Sequence, residues 1–490
     1  MKVLLVYPSC PDTFWSFKHV LLFVAKRAAF PPLGLLTVAA MLPPDWELKL
    51  VDTNVEPLED SDLAWADWVF LSGMIVHRDH AREIAKRCAA AGRPVIAGGP
   101  LFTTGHWDFP EIAHFVLGEA ENVIEELVSD MRAGRVRKSY RAAGFPDVTR
   151  TPVPRWDLVD LRHYVTMPVQ FSRGCPFDCE FCDIVAVYGR VPRTKTPDQL
   201  IAELEALRGA GWRDMVFIVD DNFIGNKKRV RELLGALVEW RARTRPTMGF
   251  LTEASANLAD QDDLLELMVR AGFKKVFVGL ETPVPESLEE CHKVQNSRRD
   301  LVAVVQTIQS AGLEVMGGFI VGFDHDPLDI FHRQFEFIQR SGVVNAMVGL
   351  LTALPQTRLY ERLSREGRML ADSIGNNTSA VLNFVPRLDR GRLLSGYRDL
   401  MRSLYSHGNY YRRVRTFLAT WVPRGPGTRL AWSDVRAFLR SLWTLGVLRS
   451  GRLAYWRLFW VTLLLRPRKF RAAMELAIIG HHFRTVAERL

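Results

Sequence analysis

Arg173-Gly174-Cys175-Pro176-Phe177-Asp178-Cys179-Glu180-Phe181-Cys182 is the stretch on which this 490-residue chain turns. Three thiols packed this closely can hold a soft metal centre. They supply three ligands, whereas a closed iron–sulfur cube takes four. One iron would therefore stay open to another ligand, and an open iron makes a cluster reactive. A zinc knuckle is the plainer alternative, but such sites usually show two spaced Cys/His pairs. The remaining candidate, Cys291-His292, falls in a separate βα loop. Cys10, Cys88 and Cys291 are scattered and read as inert buried thiols. Six cysteines in this length make no disulfide framework, which places the chain in a reducing compartment, the cytoplasm.

Outward from the cysteines, apolar runs and helical patterns alternate. Residues 2–8, 47–52, 68–72, 94–97 and 114–117 are strand-like, with helical patterns such as 78–91 and 121–133 between them. The first run is too short, and Pro8 too early, for a signal peptide. The rhythm predicts a doubly wound parallel sheet, which binds ligands at the carboxyl ends of its strands. There lie a loop at 9–19 with Phe14, Trp15, Phe17 and His19, then Ser72-Gly73-Met74, Gly98-Gly99-Pro100 and Gly118-Glu119. Each glycine alone reads as a turn; together, on one side of a sheet, they favour a ligand site. No G-x-G-x-x-G follows the first strand, which argues against a dinucleotide.

After a proline-rich linker at 141–156 the alternation resumes. Strands are expected at 168–172, 215–220, 249–253, 275–280, 314–321 and 346–352, with helices at 197–208, 227–243, 260–271, 298–311 and 328–341. Six βα units are too few for a closed eight-fold barrel, so a partial (βα)6 TIM-like barrel is expected, with chemistry at the strand ends. From about residue 389 only helices are expected, at 390–406, 409–421, 433–448 and 453–465, broken at Val422-Pro423-Arg424-Gly425-Pro426-Gly427. The domains are then 1–140, a linker 141–165, the barrel 166–385 and a helical region 386–490.

The net charge of +9 is concentrated in the tail. Residues 381–490 carry 21 Lys and Arg against 5 Asp and Glu, leaving the rest of the chain acidic. The run 453–465 is apolar but too short to span a bilayer, and Arg457 interrupts it. Arg449, Arg452, Arg466, Arg468, Lys469 and Arg471 flank it. Such a segment suits peripheral contact with anionic lipid, and equally a helix packed on the barrel with its arginines solvated. No nucleic-acid-binding module is present.

The spacing Cys-x3-Cys-x2-Cys, with Phe181 inside it, resembles the signature of the radical S-adenosylmethionine (SAM) superfamily. The resemblance implies a [4Fe–4S] cluster on Cys175, Cys179 and Cys182, with SAM chelating the open iron. It implies SAM contacts from Phe181, from Asp220, Asp221 and Asn222 after the second barrel strand, from Glu253 and Glu281 after the third and fourth, from the Gly318-Phe319-Ile320-Val321-Gly322 strand and from Pro355. The second-strand motif departs from the family's commoner Gly-Gly-Glu, which leaves open which of Asp220, Asp221 and Asn222 touches SAM; Asp221 and Asn222 could instead cap the next helix. A parallel α/β domain upstream resembles the cobalamin-binding subclass. That implies cobalamin at Phe14, Trp15, His19, Ser72, Gly73, Met74, Gly98, Gly99, Gly118 and Glu119. The Asp-x-His-x-x-Gly motif that gives cobalt a histidine in many such domains is absent; His19 could serve, but reads better as a packing or surface residue. The strings 13–19 and Gly375-Asn376-Asn377-Thr378 are similar to the hopanoid C-2 methylase group.

The family resemblance implies electron transfer from the cluster to SAM, a 5′-deoxyadenosyl radical that removes a substrate hydrogen, and methyl transfer from cobalamin to the resulting carbon radical. It implies a small-molecule or lipid substrate and a flavodoxin- or ferredoxin-type electron donor. The alternatives are a cobalamin-dependent radical cyclase or rearrangement enzyme, and a non-catalytic cobalamin- or metal-binding regulator.

Overall fold

Val3, Leu4, Leu5 and Val6 have no solvent exposure, because a parallel strand is covered on both faces. They form the centre of β1 (Lys2–Tyr7). Next come β2 (Glu47–Asp52), β3 (Trp68–Ser72), β4 (Val95–Gly98), β5 (His114–Leu117) and β6 (Ser139–Arg141). The computed structural model describes residues 1–376, 378–425 and 432–490. All neighbouring strands of this sheet run parallel, in the order β2-β1-β3-β4-β5-β6. The order reverses between β1 and β3, so the loops after these strands diverge and leave a crevice. The sixth strand, not expected from the sequence, straddles the expected boundary between the first domain and the linker; its middle residue Tyr140 is buried and donates its hydroxyl to Asp130 Oδ2 at 2.9 Å.

The second sheet begins with β7 (Met167–Val169). A small antiparallel hairpin of β8 (Ser172–Arg173) and β9 (Arg193–Thr194) follows, then β10 (Val216–Ile218), β11 (Phe250–Ala254), β12 (Phe273–Glu281), β13 (Glu314–Val321) and β14 (Ala346–Leu350). The six parallel strands lie in sequence order, and β7 and β14 do not meet. It is the open, partial barrel that six βα units predict. Local chemistry sets its helices: Thr196 caps Pro197–Gly209 through a box with Gln199, and Asp300 accepts from Val302 and Ala303 at the start of Leu301–Ala311.

The remaining helices are Arg390–Tyr405, His407–Thr420, Trp432–Trp443 with its continuation Thr444–Leu448, Arg452–Leu465 and Phe470–Glu488. They cover the open edge of the barrel. Tyr397 and Tyr405 donate their hydroxyls to Val348 O and Ala346 O on β14, at 3.0 and 2.5 Å. An edge strand is thereby blunted by side chains rather than left to pair with another chain. Asn377, in the string 375–378, and Pro426 and Gly427, in the expected break, lie outside the described residues. Among the described residues no helix is long and apolar enough to cross a membrane.

The sequence reading missed Phe470–Glu488, yet this helix is among the most buried. Its Phe483 stacks between Phe14 of the loop after β1 and Tyr405, with ring centroids at 5.3 and 5.4 Å. His482 donates Nε2–H to Phe14 O at 3.1 Å, and Glu475 meets Lys275 of β12 at 2.6 Å. One helix therefore sews the first sheet to the barrel. Burial pushes the His481 and His482 imidazoles down from 6.5 to about 4. In the unfolded chain they take up protons near 6.5, so acid favours unfolding. Stability should be fully present above pH 6.5 and fall as pH drops toward 4; urea titrations of wild type and His482→Gln across that range should show a shallower fall in the variant.

Candidate active site

The cysteine loop follows β8 and is clamped from three sides. Asp220, at the end of β10, spends both carboxylate oxygens on it, accepting from Phe171 N at 2.8 Å and from Ser172 N and Oγ at 2.9 and 2.6 Å. Arg173, two residues before Cys175, is gripped by Glu119 at 2.5 Å and Glu121 at 2.7 Å from the first sheet. Glu119 also binds Arg193 of β9 at 2.7 Å. Glu180 is held in the fork of Arg362, with Nε and Nη2 at 2.6 and 3.0 Å, while its backbone N donates to Cys291 O and its carbonyl accepts from Leu359 N.

Two amide side chains face the sulfurs. Asn222 Nδ2 lies 3.9 Å from Cys175 Sγ, and Gln295 Nε2 lies 3.6 Å from Cys179 Sγ. Asn222 is fixed in turn, accepting at Oδ1 from Ser255 N and Oγ, both at 3.2 Å. It occupies the N-cap of the following turn without capping it through its side chain. Burial raises the Cys175 and Cys182 thiols above their usual range. Left alone they stay protonated; a bound metal reverses that by supplying positive charge. Among the described residues no three His, Cys, Asp or Glu are gathered closely enough for a single ion. A multi-iron cluster, which spreads its thiolates over separate irons, fits three cysteines with amide donors aimed at their sulfurs.

Around the loop stand the other expected residues. Asp221 accepts from Gly174 N at 3.2 Å, and burial lifts its carboxyl to about 7. The Glu253 carboxylate accepts no hydrogen bond among the described residues; burial, then the charges of Asp221 and Asp220, lift it to about 8. Both are poised to ionise for an incoming cation. Glu281 sits in a left-handed conformation (φ 59°) where β12 slips register against β13, and its Oε1 is taken by Lys293 Nζ at 2.6 Å. A Cβ on Gly279 would collide with the Glu281 carboxylate and come within 2.9 Å of Lys293 Nζ, so glycine lets this pair close. Lys293 also lies over the Phe181 ring at 5.8 Å. Gly318 lies in β13, where a Cβ would come within 2.8 Å of Phe277. Gly322 ends that strand, donating to Asp326 at 2.7 Å, and Pro355 is buried just beyond β14.

At the first sheet, Ser72 of β3 pairs with Gly98 of β4. Gly99 has φ 91°, and a Cβ there would lie 2.6 Å from Ser72 Oγ. Met74 is held by its N–H to His77 Nδ1 at 3.0 Å and leaves its side chain 43 % exposed above the crevice. Gly118 donates to Thr103 Oγ1 at 2.9 Å. These loops fit a broad group lying across the strand ends. Four other expected cobalamin contacts also touch other parts of the chain. Glu119 forms the ion pairs to Arg173 and Arg193; Phe14, 1 % exposed, packs on Phe483. Trp15 stacks on Phe217 of β10 at 5.9 Å and leans on Phe277 of β12. His19 faces Asp12 at 3.5 Å and His482 at 5.5 Å. Phe14, Trp15 and His19 thus pack where the loop after β1 meets the barrel and the closing helix, and Glu119 ties the first sheet to β8 and β9. Lys293, Gln295 and Arg362, by contrast, surround the cysteine loop although no motif marks them; their signal is spatial only.

An open parallel barrel with a three-thiol loop at its mouth, joined to a crevice-bearing parallel sheet, defines a radical SAM enzyme of the cobalamin-binding subclass. Family models agree: "B12 binding domain" matches residues 22–128, "Radical SAM superfamily" 169–338 and a domain of unknown function 357–490. The chain is 42 % identical to an uncharacterised methyltransferase of Synechocystis sp. (strain PCC 6803), covering 99 % of this chain and 91 % of that one. It is 34 % identical to hopanoid C-2 methylase of Rhodopseudomonas palustris (strain TIE-1), covering 98 % and 92 %. The fold superposes on the cobalamin-dependent SAM radical enzyme OxsB, solved with aqua-cobalamin and SAM, at a TM-score of 0.63 and 13 % identity, covering 100 % of this chain and 79 % of that one. The chain belongs to the cobalamin-dependent radical SAM methyltransferase family, whose cofactors are a [4Fe–4S] cluster, SAM and cobalamin.

Arg362→Met leaves the Glu180 carboxylate without its fork, and breaking a buried pair typically costs about 3–5 kcal/mol. Iron content after anaerobic reconstitution should fall severalfold, while Arg365→Met, exposed on the same helix and bonded to Glu361 O within it, should keep it. Gln295→Leu removes a donor to sulfur and should lower the cluster's midpoint potential, read by electron paramagnetic resonance during redox titration.

Proposed function

We propose that this enzyme adds a methyl group to an unactivated carbon of a lipid of the polycyclic hopanoid class. The carrying observation is the likeness to hopanoid C-2 methylase, which runs through the helical tail as well as both sheets. In this reading Cys175, Cys179 and Cys182 hold the cluster. Asp221, Asn222, Glu253, Gly318, Gly322 and Pro355, with Phe181, surround SAM. Ser72, Gly73, Met74, Gly98, Gly99 and Gly118 carry cobalamin. Residues 1–140, 166–385 and 386–490 act as three units around the linker 141–165. Bound together, these groups supply a reductant, a hydrogen-abstracting radical source and a methyl donor.

The chain's own part is positioning and exclusion of water. Asn222 and Gln295 hold the Cys175 and Cys179 sulfurs from behind. Asp221 and Glu253 give up their protons when an ammonium or sulfonium enters, so that charge is neutralised inside a dry site. Gly318 leaves room for the aromatic ring of Phe277, and Gly279 for the Glu281–Lys293 pair. No side-chain proton shuttle is needed. Electrons would come from a flavodoxin- or ferredoxin-type carrier, and the basic tail would bring the enzyme to the membrane that stores its substrate.

Anaerobically reconstituted enzyme, given cobalamin, a low-potential reductant, methyl-labelled SAM and a hopanoid, should yield labelled lipid together with 5′-deoxyadenosine, and Cys182→Ala should yield neither. 5′-Deoxyadenosine without methylation of any polycyclic lipid would point to a cyclase or rearrangement enzyme. No SAM cleavage, with cobalamin still bound, would point to a regulator.

A further inference from the structure

We propose that the helical hairpin of Trp432–Trp443, Thr444–Leu448 and Arg452–Leu465 is the surface by which the enzyme lies on an anionic lipid bilayer. The proposal rests on the lipid-substrate reading for its purpose and deepens it by naming the surface. On the first helix Trp432, Arg436, Leu439, Trp443 and Val447 recur at helical spacing and face solvent. On the second, Leu453, Arg457, Trp460 and Leu464 do the same. Trp432 is 78 % exposed and Leu453 81 %.

These stripes are the outer faces of well-packed helices. Ala437, Ser441 and Leu445, and Tyr455, Leu458 and Thr462, are buried on the opposite faces. Ser441 Oγ and Tyr455 Oη lie 2.9 Å apart, and Phe438, Phe459 and Phe470 stack between the helices. The hairpin is thus held rigidly with an apolar ridge pointing away from the body. Apolar ridges of this kind mark interaction sites.

Charge selects the occupant. Arg436, Arg449, Arg452, Arg457, Arg466 and Arg468 are exposed around the ridge, and none pairs with an acidic side chain among the described residues. Asp434, the one acid between 432 and 470, binds Arg471 at 2.9 Å. A second copy of the same face would set these arginines against their own kind, which is repulsive. A bilayer with anionic headgroups takes both features at once: side chains of Trp and Leu enter the acyl boundary while arginines meet phosphate. The ridge reaches the short helix Lys18–Val24, where Arg440 bonds Leu22 O beside the 71 % exposed Leu22 side chain. That helix follows the loop carrying Trp15, so the lipid-facing side is also the side of the joint between the sheets.

The test is flotation of the full-length protein with vesicles of phosphatidylcholine alone or mixed with phosphatidylglycerol. Binding should be strong to the mixed vesicles, weak to the zwitterionic ones, and reduced by salt. Trp443→Glu with Leu464→Glu should abolish it. Arg449→Gln, Arg452→Gln and Arg466→Gln together should weaken it by about a hundredfold. These exposed substitutions should leave the circular dichroism spectrum unchanged. Absence of binding to either vesicle, binding indifferent to both variants, or a dimer that Trp443→Glu dissociates would overturn the proposal. Flotation needs neither cluster nor turnover, so it succeeds or fails separately from the methylation assay.

Discussion

A charge buried at the mouth of a barrel is best met by an opposite one, and around the cysteine loop two of the partners arrive from distant parts of the chain. Arg173 beside the cysteines is met by Glu119 and Glu121 of the first sheet. Glu180 inside the cysteine loop is met by Arg362 beyond the last strand. Glu281 is met by Lys293 across a helix. Each pair is costly to desolvate and gains little over an apolar substitute. What each secures is location: a loop without regular secondary structure is pinned where thiols must converge.

The strands and most helices were legible because their residues bury their own apolar periodicity. The cysteine spacing was legible because the ligand geometry of a cluster is written locally. Phe470–Glu488 was not. Its buried face includes Gly480, His481, His482 and Arg484, residues that look like surface when read in a line. Each is buried because something specific waits for it: Gly480 sits under the Tyr410 ring, His482 bonds Phe14 O and Arg484 bonds Tyr405 O. Tertiary contact overrode the local pattern. β6 was hidden for a related reason, being three residues long with one buried side chain, at the edge of the expected linker.

The site divides along the same line. Asp221, Asn222 and Glu253 stand around the cysteines because strand ends place them there, and strand ends can be read. Asp220 braces the loop, accepting from three donors, a role its place in the motif does not reveal. The packing of the aromatic loop after β1 was not legible, because the partners of Phe14 and Trp15, Phe483 and Phe217, lie hundreds of residues away in the chain.

The closing helix also changes what counts as a part. Family boundaries separate the chain near residue 338 and again near 357, as though the tail were an accessory. Yet Arg362 and Phe483 both lie past those cuts, one steadying the cysteine loop and the other the first sheet. A fragment trimmed to the two named domains would keep Cys175, Cys179 and Cys182 and lose the frame that holds them. Ancestry made this protein from separable modules; folding has made it indivisible.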